Sequence, residues 1–254
     1  VVNSVILLEW TCDPRDFFEE PFEFETLGAS VRIQDGSIQA RIPEENYPPD
    51  HSLRTQLQHD VEIRFLAAQV VGHRRFNLSQ SQVSREHADG RRDVWLFPET
   101  VSFTFGGPGV DYVIRDAEGN VVHDTRVERI KNKRSLANWA SVLATSHPAV
   151  ETLLRFYAGA INDPANELIY LYEIRDAVSR IFGGDRSARA KLGISVKRWR
   201  RLGELANELP LAEGRHRGKS LGKTREATYG ELSEAREIAQ LIIRSYLQYL
   251  GANL

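Results

Sequence analysis

The residues best suited to chemistry in this 254-residue chain lie between Val196 and Arg225. Lys197, Arg198, Arg200 and Arg201 form one basic group, and Arg215, Arg217, Lys219, Lys223 and Arg225 form a second around His216. From Arg186 to Arg225 there are 12 basic residues against three acidic ones, Glu204, Glu208 and Glu213. That density suits phosphates, since Lys and Arg displace the counterions of a nucleic acid and a glycine-rich basic loop can follow its backbone. Arg215-His216, with Asn207 eight residues before Arg215, is the one catalytic candidate. Cationic neighbours disfavour a protonated imidazole, so His216 is expected to be neutral near pH 7. A neutral His beside arginines can act as a general base toward a 2′-hydroxyl while Arg stabilises the developing charge. The plainer expectation makes His216 one more donor in a basic loop. Trp199 could stack on a base, but its register with Leu202 points to the core.

Other chemistries fit less well. Gly218-Lys219-Ser220 and Gly222-Lys223-Thr224 each look like the end of a phosphate-cradling loop. That motif needs G-x-x-x-x-G-K-[ST] between a strand and a helix. Here Gly214 stands one residue too close to Gly218, and a helical pattern with a Pro turn precedes it, so a nucleotide sensor is the weakest reading. His51, His59, His73, His87 and His123 are scattered. No Cys/His set has metal-ligand spacing, so neither a metal nor a cofactor is expected. No G-x-G-x-x-G dinucleotide fingerprint is present.

The totals bound what can hold these residues. A chain 41% hydrophobic and 27% charged is ordinary for a globular protein. Cys12 is the only cysteine, which favours a reducing compartment and makes the cytoplasm the default expectation. No apolar run approaches the ~20 residues of a membrane helix, and the first ten residues read as a buried strand. From Asp124 onward the chain carries 22 Lys/Arg against 15 Asp/Glu, a net of +7; the first 123 residues carry 11 against 20, a net of −9. Opposite signs argue for two domains, 1–123 and 124–254. They also allow the acidic part to dock on the basic one.

Residues 1–123 read as antiparallel β, an α+β chain's sandwich or partly open barrel. Ala29 to Gln34 and Ser37 to Ile42 flank an Asp35-Gly36 hairpin turn. A short helix over Ser52 to Gln58 and then a long strand over Val61 to Val71 are expected. Further strands are expected over Ser81 to His87, Asp93 to Phe97, Thr100 to Phe105, Val110 to Arg115 and Val121-Val122. Residues 124–254 read as a helical bundle. Thr125/Glu128 and Thr228/Glu231 fit capping boxes, Ser195 fits an N-cap, Pro148 and Pro164 fit first helical positions, and Gly183-Gly184 fits a stop. The apolar Ile242, Ile243 and Tyr246 of the last helix suit a dimer as well as a core.

Asn162-Asp163-Pro164, Leu168 to Glu173, Leu205-Ala206-Asn207 and Gly214-Arg215-His216-Arg217, followed by a long final helix, give residues 147 to 251 a resemblance to HEPN-like helical domains of uncharacterised bacterial proteins. The β-rich part in front is similar in organisation to proteins that place a sensor domain before such a bundle. The resemblance implies RNA as partner and a homodimer through the helical domain. It also implies metal-independent endoribonuclease activity of a toxin or phage-defence type through an R-x4-6-H motif, although some members only bind. In this chain Arg215 and His216 are adjacent instead. Arg54 to His59 has the spacing but falls in the β part. Two classes of function are therefore open. One is an RNA-binding protein with His216, Arg215 and Asn207 as catalytic candidates and Lys197, Arg198, Arg200, Arg201, Arg217, Lys219, Lys223 and Arg225 as phosphate contacts. The other is a non-catalytic interaction module.

Overall fold

The structure, a computed structural model, describes residues 4–87, 89, 91–95, 111–116, 118–215 and 223–252. The chain divides into two compact units, Val1–Ala68 with Arg74–Ala137, and Gln69–His73 with Asn138–Leu254.

In the first unit β1 (Val5–Asp13) is central to an antiparallel sheet. On one side follow β4 (Ser37–Pro43), β3 (Ala29–Gln34) and β2 (Phe22–Thr26). On the other side β5 (Asn77–Leu78) pairs with the end of β1, and β6 (Gln82–Glu86) and β7 (Arg92–Trp95) continue the sheet. The period-2 pattern puts Ile6, Leu8 and Trp10 of β1, Val31 and Ile33 of β3, and Ile38, Ala40 and Ile42 of β4 into one buried cluster. Asp35 and Gly36 both take positive φ, 50° and 80°, as a tight hairpin turn between β3 and β4 requires.

The expected strand over Val61 to Val71 is instead part of one helix, α1 (Ser52–Gly72). Leu53, Leu57, Val61 and Phe65 recur at i+4 and fill the buried cluster against the sheet. Ile63, Ala67 and Val70 are buried as well. Apolar residues on more than one side of a helix superimpose two periods, and the alternating one mimics a strand. This corrects the sandwich or partly open barrel. Among the described residues the sheet stays open, and its buried face is packed by α1. Arg54 of the R-x4-H coincidence lies on α1, and its guanidinium donates to the Ser81 carbonyl at 2.9 Å.

A separate hairpin pairs β8 (Val113–Arg115) with β9 (Val121–Asp124). The strand expected over Thr100 to Phe105 lies outside the described residues. Helix α2 (Thr125–Ala144) follows at once. Its cap is Asp124, whose Oδ1 accepts from the amides of Arg126 at 3.0 Å and Val127 at 3.1 Å. The Thr125/Glu128 box therefore does not form. A charged acceptor one residue earlier takes the free amides, and Glu128 turns to His123 at 3.1 Å. Residues of α2 as far as Ala137 count with the first unit. There the nearly buried Lys133 ammonium holds Glu19 at 2.7 Å and the Phe17 carbonyl at 2.8 Å.

The second unit is the helical bundle. It comprises the end of α2 together with α3 (Pro148–Asn162), α4 (Glu167–Ile181), α5 (Asp185–Leu192), α6 (Val196–Gly203) and α7 (Tyr229–Gly251). Leu153, Leu154 and Tyr157 of α3, Leu168, Leu171 and Ile174 of α4, and Ala239, Ile242, Ile243 and Tyr246 of α7 are buried. Ile242, Ile243 and Tyr246 thus serve the core of the single chain. The helix ends follow the sequence. Pro148 opens α3, Gly193 closes α5 with φ +65°, and Thr228 and Glu231 form a full capping box on α7. Thr228→Ala is expected to cost about 1 kcal/mol in urea unfolding. No measurable change would show that the box does not hold α7.

Candidate nucleic-acid interface

Helix α6 is short, and three local devices hold it. The Ser195 hydroxyl accepts from the Arg198 amide at 3.3 Å. Trp199 and Leu202 are buried, which puts Trp199 in the core and not on a base. The Arg175 guanidinium lies 5.4 Å from the Trp199 ring centre. With that face inward, Lys197, Arg198 and Arg200 point to solvent and are exposed. Among the described residues none of the three has a carboxylate within ion-pair distance. Arg201 differs: it reaches Glu234 at 2.8 Å and Glu204 at 3.1 Å, and the Glu234 hydrogen bond holds it firmly charged.

Past α6 the backbone widens into a π-helical turn over Glu204–Glu208, in which the Leu209 amide reaches back to the Glu204 carbonyl at 3.0 Å. Such turns insert one residue into a helix and often sit at functional sites. This one carries Asn207, whose half-buried side chain leaves Oδ1 without a hydrogen-bond partner among the described residues. The chain then returns past it, and the Arg215 amide donates to the Ala206 carbonyl at 2.8 Å. Gly214 allows this approach, because a Cβ there would meet the Ala206 oxygen at 3.0 Å. The long loop is clasped at its base, where Ala212 donates to the Arg225 carbonyl at 2.8 Å and Arg225 to the Pro210 carbonyl at 3.0 Å.

Of the catalytic candidates, the structure brings Arg215 beside the segment that carries Asn207. The Arg215 guanidinium is 3.4 Å from Glu173 and 4.9 Å from the Tyr172 ring centre. His216, Arg217 and Lys219 lie outside the described residues. Gly218-Lys219-Ser220-Leu221-Gly222 also has the G-x-S-x-G spacing of a nucleophile elbow, and it lies outside the described residues. Lys223 is exposed. Arg225 grips Glu231 through two bonds of 2.6 and 2.8 Å, and this pairing, with the Thr228 amide, holds the Glu231 carboxyl down at about 2. Arg201, Arg215 and Arg225 are thus paired with carboxylates of their own unit.

Sequence reasoning missed the other wall. Helices α6 and α7 border an open cleft of about 1390 Å³. Lys197, Arg198, Arg200 and Arg201 line it from α6, Glu204 and Glu208 from the π turn, and Glu234, Glu237, Gln240 and Arg244 from α7. The signal was present as a polar stripe at helical spacing, Glu234, Glu237 and Arg244, on the helix whose opposite face fills the core.

Gln240 leads from the cleft to a buried polar network. Its amide donates to the Tyr157 hydroxyl at 2.8 Å. That hydroxyl also meets His73 Nδ1 at 3.1 Å, while His73 Nε2 lies 3.6 Å from Glu167. Arg236 holds Glu167 with bonds of 2.5 and 2.8 Å. The pattern assigns the tautomer: Tyr157 donates to Nδ1, and Nε2 carries the proton toward the carboxylate. Burial, with the nearby Arg236 cation, lowers His73 to about 4, and burial raises the Tyr157 phenol well above its usual range. Among the described residues no group of three His, Cys, Asp or Glu is placed to hold a metal ion.

No protein-family model, no curated protein and no solved structure matches this chain.

Proposed function

We propose that the helical unit binds RNA through the outer face of α6, as a HEPN-like bundle would. The observation that supports this is the contrast within one basic stretch. Arg201, Arg215 and Arg225 are paired with carboxylates. Lys197, Arg198 and Arg200 are exposed, have no ion-pair partner among the described residues, and project from a helix fixed by a cap and a buried Trp199. Cations held on a rigid element and left unneutralised lose little on meeting phosphate and release its counterions. Binding of a labelled single-stranded RNA, followed by anisotropy across a salt series, tests this. The triple variant Lys197→Ala, Arg198→Ala, Arg200→Ala is expected to flatten the log–log salt dependence by about 2, at roughly 0.7 per phosphate contact. A wild-type protein that binds no RNA at low salt removes the proposal.

Cleavage is the narrower part of the reading. Glu173 and Tyr172 hold Arg215 in place near Asn207, which suits a positioned cation at a transferring phosphate. Cleavage in the presence of chelator that disappears in His216→Ala is the expected result. Cleavage unchanged in that variant would leave the protein a binder.

A further inference from the structure

We infer that the α6–α7 cleft takes a single strand of RNA, with phosphates on Lys197, Arg198 and Arg200 and sugar or base N–H and O–H donors on Glu208 and Glu237. This rests on the RNA-binding reading above and adds what form of nucleic acid is bound and where it lies.

The size of the cleft is the first argument. At about 1390 Å³ it exceeds the roughly 300–1,000 Å³ of a small-molecule pocket, and it is open to solvent. The second argument is its charge pattern once internal pairs are set aside. Arg201 is shared between Glu204 and Glu234, so that trio is paired within itself and keeps one negative charge. Among the described residues this leaves Lys197, Arg198, Arg200 and Arg244 as cations without a carboxylate partner. Glu208 and Glu237 remain as carboxylates without a cation, Glu237 taking only the Ser233 hydroxyl at 3.4 Å. A ligand that is anionic throughout would be drawn to the first set and repelled by the second. A single strand of RNA offers both chemistries: phosphates for the cations, and ribose hydroxyls and unpaired base edges as donors to the carboxylates. A duplex keeps its ribose hydroxyls in the shallow minor groove but ties up its base-pairing donors, so it offers the carboxylates fewer groups.

The third argument is an unfilled donor. The Nε–H of Arg244 is buried and has no hydrogen-bond partner among the described residues, although its side chain lines the cleft. A buried donor left without an acceptor is costly, and a ligand oxygen in the cleft would satisfy it. The Gln240 amide beside it is pinned by the Tyr157 hydroxyl, so this end of the cleft is fixed before any ligand arrives. Among the described residues no aromatic side chain lines the cleft. Affinity there is therefore polar and falls steeply with salt.

The test compares the full chain with the double variant Glu208→Ala, Glu237→Ala. The probes are a labelled single-stranded RNA, the same sequence as a duplex, and an acidic peptide. Both glutamates are exposed and alanine suits a helix, so folding is retained, which circular dichroism checks. The wild type is expected to prefer the single strand to the duplex by at least about tenfold, and the double variant to bind the single strand about tenfold more weakly, losing that preference. If the carboxylates merely repel phosphate, the same variant binds more tightly. Tighter or unchanged binding overturns the inference and leaves the RNA reading standing. Wild-type binding of the acidic peptide in preference to RNA makes the cleft a protein dock and overturns it. Failure of the wild type to bind any RNA overturns both readings together.

Discussion

Glu167→Ala is expected to destabilise the helical unit by about 3–5 kcal/mol, the cost typical of breaking a buried ion pair by removing one partner. The Glu167 side chain is 2% exposed and holds Arg236, itself 23% exposed, through two hydrogen bonds. It also opens α4, where a negative charge is favoured by the unpaired amides of the helix start. Removing it leaves a largely buried guanidinium from α7 with no counter-charge and takes away the carboxylate 3.6 Å from His73 Nε2. Arg236→Ala is expected to cost at least as much, since it strands the more deeply buried carboxylate. Replacing both by apolar residues, Glu167→Leu with Arg236→Met, is expected to recover most of the loss, because the penalty belongs to the unpaired charge and not to the absence of the pair. Urea unfolding followed by amide exchange in α4 and α7 measures all three. Single variants within about 1 kcal/mol of wild type would show that the pair does not support the bundle.

Acidification is expected to remove about 3 kcal/mol of stability through His73 alone, the folded-state value of about 4 lying well below the unfolded value of 6.5. The folded state binds the proton less well than the unfolded chain. The stabilisation is therefore complete above pH 6.5 and is lost as pH falls through about 4. Glu167 faces the ring at 3.6 Å and would favour protonation, but both its oxygens are taken by Arg236, whose positive charge opposes a second cation beside it. Protonating Nδ1 would also remove the acceptor of the Tyr157 hydroxyl, which already receives the Gln240 amide. Other carboxylates titrate nearby, so the reading is the difference between wild type and His73→Gln. The wild type is expected to lose stability more steeply between pH 6.5 and 4. Parallel profiles would show that His73 is not held neutral by the fold.

Legibility depended on range. Ser195, Thr228 with Glu231, Pro148, Gly193 and the Asp35-Gly36 turn behaved as written, because a cap or a turn is settled within a few residues of backbone. Trp199 could be placed in the core for the same reason, from its spacing to Leu202. The two local misreadings arose where another group competed. Asp124 displaced Thr125 as the cap of α2. Burial of Ile63, Ala67 and Val70 disguised the period of α1. The basic stretch was visible as composition, but its division into paired and unpaired arginines was not. Glu173, Glu204, Glu231 and Glu234 lie on different elements, and their reach depends on how the helices pack.

By itself the sequence determined an antiparallel β-rich part followed by capped helices, and a concentration of positive charge on and after α6. Those features follow from side-chain period, turn chemistry and composition, all of them properties of neighbouring residues. Only the tertiary structure decided which cations lack a carboxylate partner among the described residues, that α7 lends their cleft Glu234 and Glu237, and that His73 meets Tyr157 from 84 residues away. Charges and hydrogen bonds act through space, and the packing of α3, α4, α6 and α7 sets that space.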